Sequence, residues 1–161
     1  MAAARPFAIV LCTWHHESHL PRAPADAISR AADGATGYTG TLTAKYLAAR
    51  APDLRWAICG RSLSKLTALA DQLYAINPGL KGALGVLTDS GGLNAVTRQA
   101  TVGITTTGPF FLHGEPFLKA CIEEGTHYID ATGPHLPHRV TRRVSGRPAP
   151  CPLLLQGSFR G

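Results

Sequence analysis

Along the middle of the chain the apolar positions change period repeatedly, from nearly continuous runs to a spacing near 3.6 and back. Leu54–Cys59 (LRWAIC) is a short apolar run ended by Gly60, the mark of a buried strand. In Leu63–Ile76, residues Leu66, Leu69, Leu73 and Ile76 recur at helical spacing, and Ser62 or Ser64 is placed to cap the first turn. Ala83–Thr88 predicts a strand and Leu93–Gln99 a short helix; the β-branched Val102–Thr107 predicts a strand stopped by Gly108-Pro109. Gly114–Glu124 predicts a helix that Gly125 terminates, and His127–Ala131 a fifth strand. Ahead of these, Thr41–Arg50 predicts a helix with Leu42, Tyr46 and Leu47 on one face, and Phe7–Leu11 reads as an early strand. Strands alternating with helices predict an α/β fold, a parallel sheet built from right-handed crossovers with helices flanking it.

The two ends break the pattern. Residues 12–33 lack strand periodicity and carry Pro21 and Pro24; residues 134–161 hold five of the twelve prolines and only Leu153–Leu155 hints at a strand. The expected organisation is therefore one α/β domain over residues 1–133, incomplete and interrupted by an irregular insertion at 12–33, followed by a disordered Arg/Pro-rich tail at 134–161. Charge sharpens this division. The net +6 resolves into zero for residues 1–33, +1 for 34–133 and +5 for 134–161. The basicity belongs to the tail and not to the domain, which argues against a nucleic-acid partner. A hydrophobic fraction of 45% with no long uncharged apolar stretch excludes a disordered chain and a spanning helix. Cys12, Cys59, Cys121 and Cys151 form no Cys-x-x-Cys pair, so they read as reduced structural thiols of an intracellular protein.

The chemistry concentrates in the loop Gly34-Ala-Thr-Gly37-Tyr-Thr-Gly40. Cradling a pyrophosphate needs a strand running into a tight glycine turn, then a helix whose first amides face the anion. In this spacing Gly34 makes the turn, Gly37 lets the backbone approach phosphate and Gly40 lets the helix pack on the sheet; Thr36 and Thr39 add hydroxyl donors. The first strand ends at Leu11; joined directly to Gly34 it would form an ordinary approach to such a loop, so residues 12–33 read as an insertion there. A dinucleotide with a free ribose 2′-hydroxyl favours Asp or Glu after the second strand. This chain has Gly60-Arg61-Ser62, with Lys65 one turn on, so NADP is expected in preference to NAD: Arg61 can pair with a 2′-phosphate and stack on adenine. Asp89, after the third strand, either reaches the adenine amine or caps a helix. Thr107-Gly108-Pro109 ends the fourth strand at the edge where the nicotinamide half would lie.

Other constellations add less. His15, His16 and His19 have no convincingly spaced carboxylate or cysteine partner, and no metal site is expected. His113 and His127 border the proposed cofactor edge, as structural or substrate-orienting groups. Glu115, Glu123 and Glu124 read as the wet face of one helix. No nucleophile–base pair is arguable from spacing, so no catalytic residue is assigned.

Residues 34–133 resemble the N-terminal domain of the saccharopine dehydrogenase-like oxidoreductases, including the trans-acting enoyl reductases. The resemblance rests on GATGYTG (34–40), LRWAICGRSLSKL (54–66), TTTGPFFLHGEPFLKACIEEGTHYIDATG (105–133) and Asp89. It implies a Rossmann domain holding NADP(H), hydride transfer to a small or lipid-linked substrate, and cofactor roles for Gly34, Thr36, Gly37, Tyr38, Thr39, Gly40, Arg61, Ser62, Gly108 and Pro109. It also implies a second domain for substrate and homodimer contacts, and a cytoplasmic, membrane or lipid-droplet location. Neither the insertion nor Pro134 onward follows the family pattern. The second domain is expected to be absent, and both odd segments read as translated non-coding sequence. Two rival readings are a non-catalytic NADP-binding regulatory module and a non-functional fragment.

Overall fold

A computed structural model of the chain describes residues 5–12, 35–107, 110–130 and 154–156, of which 110–113 and 154–156 are described as backbone alone. Gly34, Gly108, Pro109, the bulk of the proposed insertion and of the tail, Cys151 and His15, His16 and His19 lie outside the described residues. The chain alternates as its pattern predicts: β1 (Phe7–Cys12), α1 (Tyr38–Arg50), β2 (Trp56–Gly60), α2 (Leu63–Ile76), β3 (Leu84–Thr88), α3 (Leu93–Thr97), β4 (Ala100–Thr105), α4 (Phe110–Glu124), β5 (His127–Asp130) and β6 (Leu154–Gln156). All pairings are parallel and the strand order is β3-β2-β1-β4-β5-β6, the order of a Rossmann sheet. β1 is central, pairing with β4 from Phe7 to Cys12 and with β2 from Ile9 to Leu11.

Sheet order reverses direction at β1, so crossovers of one hand must place their helices on opposite faces. The packing obeys this, and residue size explains how. On one face Leu11, Trp56, Ile58 and Leu84 present large side chains. Opposite them α1 buries only Gly40, Ala44 and Ala48, while α2 adds Leu66, Leu69, Ala70 and Leu73. On the other face the strands are thin: Cys12, Ala57, Cys59 and Gly103 leave room for Phe117, Leu118 and Cys121 of α4, and Gly85 leaves room for Phe7. Burying each of the leucines stabilises the fold by about 1.5–3 kcal/mol relative to leaving it exposed.

The α1 face differs from the expectation. Leu42 and Tyr46 do lie on one side of the helix, but that side is solvent-facing, 52% and 65% exposed, and the core stripe is the small-residue one. The large strand residues leave no room for them. α4 begins at Phe110 and not Gly114, so Pro116 sits inside the helix, where it removes one backbone bond. Burial of Phe117, Leu118, Ala120 and Cys121 on the following turns offsets that loss. Within the expected tail, Leu154–Gln156 pairs with Tyr128–Asp130, so these three residues extend the sheet by a sixth strand and are not disordered. The apolar Leu153–Leu155 triplet is the local signal for it.

Polar contacts tie the amino edge together. The Arg5 guanidinium donates to the Glu124 carbonyl at 2.5 Å, the Gly125 carbonyl at 3.3 Å, the Thr126 hydroxyl at 2.6 Å and the Ala100 carbonyl. It thus clamps the start of β1 onto the C-terminal carbonyls of α4, where a cation is favoured. Glu123 and Glu124 accept from Asn94, and Glu124 pairs with Arg98 at 3.4 Å, which joins α3 to α4. The glutamates are therefore more than a wet face. Among the described residues no helix is long and apolar enough to cross a membrane.

Candidate functional site

Parallel strands send all their carboxyl ends to one edge, and ligands of such sheets settle where the strand order reverses. That point lies between β1 and β4, where Cys12 is in register with Thr105. The described part of the glycine loop approaches it. Ala35 is fully buried and Gly37 is the N-cap of α1, with φ −77° and ψ 175°. No side chain caps this end of α1. The Thr41 N–H donates to the Gly37 carbonyl at 2.8 Å, so the amides before it have no intrahelical acceptor. The Thr41 hydroxyl bonds the Ala35 carbonyl at 3.4 Å and holds the loop against the helix. Gly40 is buried on the sheet side, the place expected of the glycine that permits close helix packing.

A second helix N-terminus opens at the same edge. Arg61 follows β2 and is exposed. Of the two serines, Ser62 is the cap: its hydroxyl accepts from the Lys65 amide at 3.4 Å and lies 3.1 Å from the Ser64 hydroxyl. The first turn of α2 holds no acid. β3 ends beside β2, with Thr88 in register with Gly60. Asp89 opens a 3₁₀ turn, Asp89–Gly91, and caps neither that turn nor α3, so the capping role is not realised. The Thr88 and Ser90 hydroxyls bond each other at 2.9 Å.

On the other side of the reversal, the Thr107 amide donates to the Thr105 hydroxyl at 3.4 Å and Thr107 is buried. Thr106, between them, has its hydroxyl oxygen fully buried with no hydrogen-bond partner among the described residues. β5 contributes Asp130, 3% exposed, in register with Thr105. Burial, aided by the Asp130 charge, pushes the Tyr128 phenol above its usual range. Cys12 is raised as well, first by a hydrogen bond with the Cys59 thiol and then by burial. With Cys121 they are free, buried thiols.

The structure thus brings Thr36, Gly37, Tyr38, Thr39, Gly40, Arg61, Ser62, Lys65, Asp89 and Thr107 to one edge of the sheet. It does not bring His127 there. That residue starts β5 in register with Val102, on the amino-terminal side, because it opens the strand and does not close it. His113 falls in the first turn of α4, with its side chain outside the described residues. Two polar groups escaped the sequence reading, Thr106 and Asp130. The alternation Val102-Ile104-Thr106 was the available signal for the first, since it puts Thr106 on the same side as Ile104.

A family model for the saccharopine dehydrogenase NADP binding domain matches residues 34–145. The chain is 35% identical over 112 residues to the saccharopine dehydrogenase-like oxidoreductase of Bos taurus, covering 62% of this chain and 26% of that protein. It is 36% identical over 100 residues to the trans-acting enoyl reductase of Mycobacterium ulcerans (strain Agy99), covering 62% and 24%. The chain therefore spans about a quarter of the length of these relatives. Apo histidine-tagged saccharopine dehydrogenase (L-Glu forming) from Saccharomyces cerevisiae shares the fold, with a TM-score of 0.51 and 17% identity over 81% of this chain and 23% of that one.

Proposed function

Because this chain belongs to the family of saccharopine dehydrogenase NADP binding domains, we propose that it is the cofactor-holding part of an oxidoreductase acting on a small or lipid-linked substrate. Bound NADP(H) supplies the hydride chemistry; the residues of this chain bind and orient it. In the proposed site, Gly34, Thr36, Gly37, Tyr38, Thr39 and Gly40 form the pyrophosphate loop. The uncapped N-terminus of α1 suits that role, because its amides and the helix dipole both favour an anion. Asp89 is assigned to the adenine amine, and Thr107, Gly108 and Pro109 to the nicotinamide end.

The donor set at the end of β2 carries the reading. An exposed Arg61 stands where a carboxylate would select a free 2′-hydroxyl, with Ser62, Ser64 and Lys65 beside it and no acid in the first turn of α2. Such a set fits a 2′-phosphate, with Arg61 making the charge-assisted bonds and Ser62 and Lys65 supporting them. The test is calorimetric titration of the full chain with NADPH and NADH. NADPH is expected to bind the more tightly, and Arg61→Ala to weaken NADPH roughly tenfold or more, as loss of a charged hydrogen bond does, while sparing NADH. Equal affinity for the two cofactors in the wild type would overturn the assignment.

A further inference from the structure

The NADP reading leaves the Thr106 hydroxyl unexplained. Thr106 follows the last residue of β4 at the point where the strand order reverses. Its hydroxyl oxygen is shut off from solvent and bonds nothing among the described residues. Leaving a buried hydroxyl unbonded costs about 1–3 kcal/mol, so a protein that keeps one at a ligand edge holds a donor in reserve. The other buried threonines do not share this condition. The Thr105 hydroxyl accepts from the Thr107 amide, and Thr97 and Thr126, also buried, bond backbone carbonyls. Strand alternation places Thr106 with Ile104, whose side chain packs against the cluster that contains Leu11, Ala35 and Ala44. That is the face of α1 and the glycine loop, not the face of α4.

We infer that the Thr106 hydroxyl is a positioning contact for NADP(H), donating a hydrogen bond to the nicotinamide-side phosphate or ribose of the cofactor. This rests on the NADP reading above but concerns the half of the cofactor remote from Arg61. Valine has the shape of threonine without the hydroxyl, so Thr106→Val removes the donor and little else. Serine keeps it.

The experiment titrates the full-length wild type, Thr106→Val and Thr106→Ser with NADPH and with adenosine 2′,5′-bisphosphate, and measures the urea stability of each cofactor-free protein. Thr106→Val is expected to lose about tenfold in NADPH affinity and Thr106→Ser less than threefold. Neither should change adenosine 2′,5′-bisphosphate binding, which uses the Arg61 end and one phosphate at the glycine loop and carries no nicotinamide-side group. Cofactor-free Thr106→Val should be as stable as wild type or more so, because the unbonded hydroxyl is gone. Unchanged NADPH binding by Thr106→Val, equal losses in the valine and serine variants, or loss of cofactor-free stability would each overturn the inference. A wild type that binds adenosine 2′,5′-bisphosphate and NADPH while Thr106→Val does so equally well sinks this inference alone. A wild type that binds neither sinks the NADP reading and this contact with it.

Discussion

A single methyl group tests the packing logic of the sheet. Gly103 lies on β4 facing α4, and a methyl placed there would sit 2.9 Å from Phe117 Cζ, 3.0 Å from Cys121 Sγ and 3.1 Å from Phe117 Cε1. Carbon atoms attract best at about 3.5–4.0 Å, so the ring would have to withdraw by roughly half an ångström. It has little room: Phe117 is 1% exposed and its ring lies 6.0 Å, centroid to centroid, from that of Tyr128. Cys121 stands one helical turn on from Phe117, so relieving both contacts means lifting α4 as a body. Overpacking of this kind costs about 1–3 kcal/mol. Against it stands a gain of about 0.4–1 kcal/mol from restricting the unfolded chain, so Gly103→Ala should lose about 1–2 kcal/mol net. Equilibrium urea denaturation followed by far-UV circular dichroism reads that loss as a lower midpoint at unchanged slope. Phe117→Leu should restore part of it, because the smaller side chain makes room for the methyl, and the double variant should fall short of additivity by about 1 kcal/mol. Strict additivity, or a Gly103→Ala protein as stable as wild type, would refute the account of why this strand carries glycine.

Two further perturbations probe the ends of the fold. Arg5→Ala should cost about 1–3 kcal/mol, since it strips the Glu124 and Gly125 carbonyls of a cationic donor and frees the start of β1. Hydrogen exchange should quicken first in the last turn of α4, and a loss below about 0.5 kcal/mol would show the clamp to be ornamental. At alkaline pH, burial pushes the Cys121 thiol up to about 12, slightly opposed by Arg5. The unfolded chain releases this proton first. The contribution is therefore intact below the usual thiol range near 8.5 and is lost as pH rises toward 12, by at most about 1.4 kcal/mol per unit. Cys121→Ala should flatten the stability–pH curve there; an unchanged slope would assign the loss to other groups.

What the sequence made legible divides along physical lines. Strong periodicity placed α2 to the residue, since Leu66, Leu69 and Leu73 are large, regularly spaced and all buried. The same logic misjudged α1, whose burial code is Gly40, Ala44 and Ala48. Small residues carry almost no hydropathy signal, and only the bulk of Leu11, Trp56 and Ile58 across the interface explains why they face inward. Gly103 and Gly85 were equally silent, because close approach depends on Phe117 and Phe7, distant in sequence. At the candidate site, the Ser62 cap was readable because capping acts locally. Thr106 was not, because an unbonded hydroxyl is a property of its surroundings, and Thr105-Thr106-Thr107 offers three hydroxyls that look alike until the strand is folded.

The connection between β1 and α1 poses a different question, since the twenty-two residues 13–34 occupy a place where the fold ordinarily makes a direct turn. Loop-closure entropy grows only with the logarithm of length, so closing twenty-two residues costs roughly 2 kcal/mol more than closing two. That is about the worth of one buried leucine. Neither wall of the crevice relies on the connection for its place. β1 is held by register with β4 along all of its length and with β2 along part of it, and by the Arg5 clamp at its start. α1 is held by its small-residue stripe on the sheet, and by the Asn77 side chain, which donates to the Ala48 carbonyl at 3.2 Å. Pairing and packing thus bring Cys12 and Gly37 to the same edge whatever the length between them. The uncapped amides of α1 remain positioned by the helix that carries them.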